Sequence, residues 1–266
     1  MVYGSFDDSG EILKEFISFM DSFNIPWSIV WGNHDNESQI GIDEQCRRYT
    51  NSKNCVFNPG KTIGNSNYTV GISVNKVLKR TLYFIDTHGA VRNAGIYQEQ
   101  LEFCLERAKE IEKIVSVPSF MITHIPVDLF HISEIEKGYL NESKKSYVIG
   151  VDVESKDGDF GFSFDSRGSG GYIKTDELFK KVLEECNVDG IFAGHYHNKC
   201  SCIHYNNLKL IFGLKSSQYD YYTNGHIGAT LVTFSEKEFK IQYIPSFAEY
   251  APVPALAPNF KNIKIS

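Results

Sequence analysis

The chain has 266 residues, of which 42% are hydrophobic and 23% are charged. This balance is typical of a globular protein with a full core and excludes a disordered or fibrous chain. The formal net charge of −6 argues against a nucleic-acid surface built on charge, because binding to a phosphate backbone requires clustered Lys and Arg. An anionic substrate would therefore need local help, such as bound cations.

No run of 18 apolar residues occurs, and the first eight residues lack the basic and apolar regions of a signal peptide. We therefore expect no membrane segment, and a cytoplasmic location is the default expectation. The six cysteines are scattered along a chain too long to need disulfide staples, so they are predicted to be reduced thiols. The sequence leaves the oligomeric state open.

The first predicted unit is a helix followed by a strand and a polar loop. Ser9 is a candidate N-cap, and apolar residues recur at helical spacing from Ile12 to Phe23. Residues 27–31 form a short apolar run without alternation, which predicts a strand covered on both faces. A weaker helix is expected over residues 37–49.

The middle of the chain predicts a hairpin, a long helix and a buried strand. Strands are expected over residues 68–74 and 80–86, a helix over 98–115 and a further strand over 118–123. The stretch 138–171, rich in Ser, Lys, Asp and Gly, is expected to be a long excursion that overhangs the site. The helical residues expected to face inward are Leu101, Leu105, Ala108, Ile111 and Ile114.

The last third of the chain predicts a helix, a buried strand and then mainly β-structure. The helix is expected over residues 175–186 and the strand over 188–193, and short strands with intervening turns occupy about 200–245. No internal repeat and no linker divides the sequence. We therefore predict one α/β domain over residues 1–266.

Three of the predicted loops carry groups that bind metal ions. Gly-Asn-His-Asp at residues 32–35, Thr-His-Ile-Pro at 123–126 and Gly-His-Tyr-His at 194–197 each follow an apolar run. Imidazole is a common ligand of borderline metals, and an Asn carbonyl oxygen is a weaker, harder ligand. Loops after adjacent strands can bring such groups to one point. The two His of the third segment are expected on one side of an extended stretch, where they can face two different ions.

Several other residues have competing explanations. Cys200 and Cys202 suggest a rival site for a single metal ion with His195 and His197, although their one-residue gap differs from the two-residue spacing common in zinc knuckles. Packing is the simpler explanation of both thiols. Of the remaining residues, His88 and His226 are candidates for a substrate-side role, His131 and His204 are expected in solvent, and Tyr219, Tyr221 and Tyr222 form a cluster suited to packing or to stacking a substrate.

The order of these motifs resembles the calcineurin-like metallophosphoesterase superfamily, whose pattern runs Asp-x-His, Gly-Asp-x-x-Asp, Gly-Asn-His-Asp/Glu, His and Gly-His-x-His. The resemblance implies a four-layer α/β sandwich, in which two mixed β-sheets are flanked by helices. Further pieces are similar to one branch, the plant purple-acid-phosphatase-29-like and yeast Dcr2-like proteins. These pieces are residues 25–27, 32–38, 64–68, 84–86, 124–126, 194–198 and 228–229.

The resemblance implies hydrolysis of a phosphate mono- or diester at a dinuclear metal centre. It makes Asn33, His124 and His195 ligands of the second ion and His197 a ligand of the first. The implied cofactors are two divalent or trivalent ions, such as Mn, Fe, Zn or Mg, which acidify water and neutralise the charge of the phosphate oxygens. The implied partner is a phosphorylated substrate.

Two further residues receive roles from the same resemblance. His34 is expected to contact the scissile phosphate or to protonate the leaving alkoxide. Asp35 is expected to orient the imidazole ring of His34.

The chain departs from the family pattern before Gly32, where it has neither Asp-x-His nor Gly-Asp-x-x-Asp. The first ion would then have one protein ligand, and Asp7 and Asp8 are weak substitutes because Asp is common at a helix start. Since this branch often continues its Gly-Asp motif with Met or Val, we expect Met1 to be an internal methionine of a truncated domain that lacks its first β-α-β unit. Hydrolysis is then expected to be impaired, and the rival expectation is a catalytically inactive interaction or regulatory module.

Overall fold

The computed structural model describes residues 9–89, 93–141, 146–147, 157–163, 171–216, 227–235 and 238–246. Within these ranges the helices are α1 (Glu11–Ser22), α2 (Gly41–Thr50), α3 (Gln98–Glu112), α4 (Asp128–Glu136) and α5 (Glu177–Glu185). The strands are β1 (Tyr68–Val74), β2 (Val77–Phe84), β3 (Ser119–Ile122), β4 (Leu140–Asn141), β5 (Ser146–Tyr147), β6 (Phe160–Ser163), β7 (Val188–Ala193), β8 (Lys199–Tyr205), β9 (Leu208–Phe212), β10 (Gly228–Phe234) and β11 (Phe239–Pro245). A short 3-10 turn covers Asp35–Glu37.

Seven strands form a mixed sheet in the order β1-β2-β3-β7-β9-β8-β6. Strands β2, β3, β7 and β9 run parallel, whereas β1, β8 and β6 are antiparallel to their neighbours. This sheet, together with the helices, confirms the predicted α/β class. Among the described residues, the second sheet of the expected sandwich consists of the β10–β11 hairpin. The carboxyl ends of β2, β3 and β7 meet at one edge, and the loops of interest follow them.

The central sheet is apolar on both faces, which explains why its strands show no alternation in sequence. Consecutive residues Tyr83 and Phe84 of β2 pack into different clusters, because successive side chains of a strand point to opposite faces. One cluster contains the buried faces of α3 and α5. The other gathers aromatic residues around α1 and α2, including Trp27, Trp31 and Tyr49.

The N-terminal predictions are wrong in two respects. Helix α1 is capped by Gly10, not Ser9, because the chain enters the helix in a left-handed conformation with φ +85° at Gly10. Residues 27–31 are not a strand. In the described part of the chain, Trp27 makes an isolated bridge to Cys55, and a run without a paired neighbouring backbone cannot form a ladder.

Two further differences concern the helices. Helix α3 ends at Glu112, so Ile114, expected inside, is 84% exposed. Helix α4 has no counterpart among the predicted elements, because its buried residues include Ser133 and Glu134, which weaken its apolar periodicity. By contrast, β1 and β7 have their predicted bounds. No helix among the described residues is long and apolar enough to cross a membrane.

Candidate metal centre

Asn33, His124 and His195 converge on one point although they are far apart in sequence. The Oδ1 atom of Asn33 lies 2.9 Å from Nε2 of His124 and 3.3 Å from Nδ1 of His195. The two imidazole rings meet edge-on, with 5.3 Å between their centroids. The structure thus brings together the three residues that the resemblance assigns to one ion.

The fold explains this convergence. His124 and His195 follow β3 and β7, which are adjacent parallel strands, so their loops leave the same edge of the sheet. The N–H of Gly194 donates a 3.0 Å hydrogen bond to the carbonyl of His124 and ties the two loops together. Gly89, beyond the end of β2, supports the loop that carries Asn33, since a Cβ at Gly89 would overlap the backbone of Asn33.

The two separations at Asn33 Oδ1 are hydrogen-bond distances in this structure, and they are also compatible with donor atoms that share a metal ion. Bonds of about 2.1 Å to nitrogen or oxygen, at angles between octahedral and tetrahedral, separate neighbouring donor atoms by about 3.0 to 3.4 Å. The separations of 2.9 Å and 3.3 Å around Asn33 Oδ1 are close to these values. Two imidazole nitrogens and one amide oxygen form a donor set suited to borderline divalent metals.

Burial keeps both imidazoles of this site in the neutral form. It lowers the pKa of His124 to about 3, with a further contribution from the neighbouring His195. Burial, and then repulsion by His197 and His34, lowers the pKa of His195 to about 4. A neutral imidazole offers a lone pair, so both rings are ready to bind a metal at neutral pH.

The remaining predicted site residues lie next to Asn33 and His195 in the chain, on the same two loops. His197 is half-buried and close enough to His195 to affect its pKa. The side chain of His34 is 47% exposed, and its Nδ1 lies 2.8 Å from Oε1 of Glu37. The carboxylate of Asp35 accepts a 2.7 Å hydrogen bond from the N–H of Gly32 and so closes the loop.

Glu37 is a contact of His34 that sequence reasoning missed. The structure places it three residues after His34, at the end of the 3-10 turn. An acidic residue at this spacing in a turn is a signal that could have identified it.

A polar network at the end of β2 lies beside the candidate centre. The carboxylate of Asp86 accepts hydrogen bonds of 2.9 Å from the N–H groups of Asn65 and His88. The Nε2 atom of His88 is 3.3 Å from Oε1 of Gln100. A cavity of about 270 Å³ separates this network from the segment around Gly32. A substrate-side role of His88 remains a prediction, and its ring lines this cavity.

The cysteines near the third motif lie in the interior of the protein. Cys202 is 1% exposed and packs with Phe120 and Phe239 on one face of the sheet. Burial raises the pKa of the Cys202 thiol to about 12, as expected for a thiol packed among apolar side chains. Cys200, also buried, belongs to the same strand. The rival site with these two cysteines is therefore not favoured.

Other residues singled out in the sequence have structural partners or lie outside the described ranges. His204 is 3.2 Å from the buried carboxylate of Asp159, and His131 stacks on Tyr172. Both were expected in solvent, and both are in contact with other side chains. The residues that fall outside the described part of the chain are Asp7, Asp8, Tyr219, Tyr221, Tyr222 and His226.

Carboxylates are scarce at the candidate centre. Within the described ranges, no group of three or more His, Cys, Asp or Glu side chains is arranged to hold a metal ion. The Asn33 site consists of two imidazoles and an amide, so only two of its three side chains are of these types.

Comparison with known proteins agrees with the motif order. The calcineurin-like phosphoesterase family model matches residues 2–199. The phosphatase DCR2 of Saccharomyces cerevisiae is 30% identical over 217 residues, which cover 75% of this chain and 34% of the yeast protein. The match thus spans about a third of the length of that relative. The chain belongs to the calcineurin-like phosphoesterase family.

Proposed function

We propose that this chain hydrolyses a phosphate mono- or diester at a dinuclear metal centre. The observation that carries the proposal is the convergence of Asn33, His124 and His195, whose donor atoms have the spacing of a coordination shell. These residues would hold the second ion, and His197 would hold the first. When bound, two cations acidify water and neutralise the charge of the phosphate.

His34 is the residue proposed to act on the leaving group. Its ring is half-exposed, next in the chain to Asn33, where a substrate can reach it. The carboxylate of Glu37 contacts Nδ1, which orients the ring and assigns Nε2 to the substrate. Asp35 would act indirectly, by keeping the loop closed through its bond to Gly32.

The proposed activity is weak in this chain. His197 is the one residue assigned to the first ion within the described ranges, and two-metal catalysis needs both ions held firmly. The same observation favours the alternative function, a catalytically inactive interaction or regulatory module of the same family.

Metal stoichiometry together with turnover separates the two functions. The purified chain is loaded with Mn²⁺, its metal content is measured by mass spectrometry, and hydrolysis of p-nitrophenyl phosphate is followed. Two ions per chain with turnover support the proposed enzyme. One ion or none without turnover supports the inactive module.

A pair of variants assigns any bound metal to the site. H124A/H195A is expected to lose the ion and the turnover together, whereas H204A, which alters a histidine bonded to Asp159, is expected to keep both. Metal retained by H124A/H195A would refute the assignment.

A further inference from the structure

A lysine and a glutamate form an ion pair inside the protein, behind the loop that carries His195. The Nζ atom of Lys199 lies 3.2 Å from each carboxylate oxygen of Glu134, and neither side chain is exposed. Lys199 also donates a 2.7 Å hydrogen bond to the hydroxyl of Tyr172. The two charges therefore compensate each other in a region that bulk water does not reach.

A fully buried ion pair adds little to stability by itself. The cost of removing both charges from water offsets their attraction, and apolar residues of similar size are often at least as stable in the same place. The pair therefore needs an explanation beyond packing, and its neighbours provide one.

Lys199 contacts the residue that stands between His195 and His197. Its ammonium lies 4.8 Å from the centre of the Tyr196 ring, and its backbone N–H donates to the carbonyl of Tyr196 at 3.4 Å. The ring of Tyr196 meets the ring of His195 edge-on, with 5.3 Å between centroids. Direct contact thus extends from the ion pair to His195 through one aromatic ring.

Glu134 connects the pair to the other loop of the candidate centre. It lies on α4, the helix that follows His124 and begins at Asp128. His131, on the same helix, stacks on the ring of Tyr172, which accepts the hydrogen bond from Lys199. The ion pair therefore joins the segment after His124 to the segment after His197.

The backbone of His195 needs such support. Its φ angle is +71°, a left-handed conformation that residues other than glycine rarely adopt. Such conformations persist where the surrounding structure over-determines them, and they concentrate at functional sites. Contacts that immobilise Tyr196 also restrict the adjacent His195.

We propose that Glu134 and Lys199 are positioning residues that hold His124 and His195 at the spacing a metal ion requires. The pair acts on His195 through Tyr196 and on the His124 loop through α4. This inference rests on the proposed metal site and adds two residues that touch neither metal nor substrate.

The test is Co²⁺ binding by the full chain, followed by visible absorption, which reports both affinity and the geometry around the ion. E134L/K199M removes both charges at similar volume and leaves no buried charge unpaired. We expect this variant to keep the far-ultraviolet circular dichroism of the wild type. Its Co²⁺ affinity is expected to fall by about 10- to 100-fold with a changed spectrum, the loss typical of residues that orient ligands.

A matched control removes another ion pair that is remote from the loops. Arg80, 1% exposed, pairs with Asp189, which lies at the start of β7, whereas His195 follows the end of that strand. R80M/D189L is therefore expected to keep wild-type Co²⁺ affinity. Equal weakening in this control and in E134L/K199M would overturn the proposal, because the effect would then be a general loss of rigidity.

Tyr172→Phe is a milder variant that decides the matter if E134L/K199M does not fold. It removes one hydroxyl that accepts from Lys199 and is expected to weaken Co²⁺ binding by about two- to tenfold. Wild-type affinity in folded E134L/K199M, or in Y172F where the double variant does not fold, would overturn the proposal. Absence of Co²⁺ binding in the wild type is a distinct result, which would refute the metal site itself.

Discussion

Asn33 is the residue that both histidines of the proposed metal site contact. Its amide oxygen faces one nitrogen of His124 and one of His195, and burial keeps both of these rings neutral. Three neutral donors leave the charge of a divalent ion uncompensated. An anion such as a phosphate ester supplies the missing charge, which is consistent with an acidic protein acting on an anionic substrate.

Asn33→Ala is expected to weaken Mn²⁺ binding by more than about 100-fold, since residues that merely orient ligands already account for 10- to 100-fold. Isothermal titration with Mn²⁺ measures the loss. Asn58→Ala is the control, because the Asn58 side chain accepts from the N–H of Gly60 in a surface turn. Similar Mn²⁺ affinity in the two variants would contradict the role of Asn33.

His124 is also expected to make the metal-free chain less stable in mild acid. Its pKa is about 3 in the folded protein, against an ordinary value of 6.5 for a solvated histidine, so the unfolded chain binds more protons between these values. Stability therefore falls as the pH decreases through 6.5. At pH 5 the loss from this residue is about 2 kcal/mol.

Urea unfolding at pH 7 and pH 5 measures that loss. His124→Gln is expected to show a smaller decrease between the two pH values than the wild type, and the His204→Gln control is expected to retain the larger decrease. Equal decreases in wild type and His124→Gln would show that His124 is not held neutral by the fold.

The candidate centre is built by loops, and the strands set the distances between them. Strands β3 and β7 deliver His124 and His195 from neighbouring positions of the sheet. Asn33 arrives on a segment outside the sheet, and its position depends on packing against the loop after β2. Gly89 is the point of closest approach between that loop and Asn33.

Gly89→Ala is expected to displace Asn33 and to weaken Mn²⁺ binding by about tenfold or more, because the added Cβ overlaps backbone rather than a movable side chain. Calorimetric titration measures the change. Gly171→Ala, where a Cβ meets nothing within 4 Å, is the matched control and is expected to bind Mn²⁺ as the wild type does. Unchanged binding in Gly89→Ala would contradict this account of the loop.

At the scale of the whole molecule, both faces of the central sheet are covered, but the covering layer on one face is itself partly exposed. Helix α1 buries Leu13 and exposes Phe19 and, at its end, Phe23, which are 60% and 54% exposed and pack against each other. Ile25, just beyond, is 64% exposed. A contiguous apolar surface of this kind promotes self-association.

F19K/F23K is expected to reduce aggregation while keeping the fold, because the two rings contribute little to the buried core. Light scattering at rising protein concentration measures the first effect, and thermal unfolding the second. Leu13→Lys, on the buried face of the same helix, is expected to destabilise the chain by several kcal/mol, about the cost of burying an unpaired charge. Wild-type scattering in F19K/F23K would exclude this surface as the cause of association.

Local sequence patterns predicted many helices and strands correctly. They failed where contacts with a distant segment of the chain decide the structure. The sequence patterns of β7, inside the sheet, and of β1, at its edge, were sufficient for their bounds. Residues 27–31 have the same kind of pattern without continuous pairing in the described part of the chain, so their strand prediction is wrong. Helix α4 was not predicted because one of its buried residues, Glu134, is charged. Glu134 is buried in an ion pair with Lys199, which lies 65 residues away.

The sequence by itself determined the order of most helices and strands and the residue types able to bind a metal, because periodicity and short motifs are local properties of the chain. Only the tertiary structure decided which atoms meet: that Nε2 of His124 and Nδ1 of His195 face the amide oxygen of Asn33, and that Glu134 pairs with Lys199. Such contacts join segments far apart in sequence, and they depend on strand order and burial, which no local pattern contains.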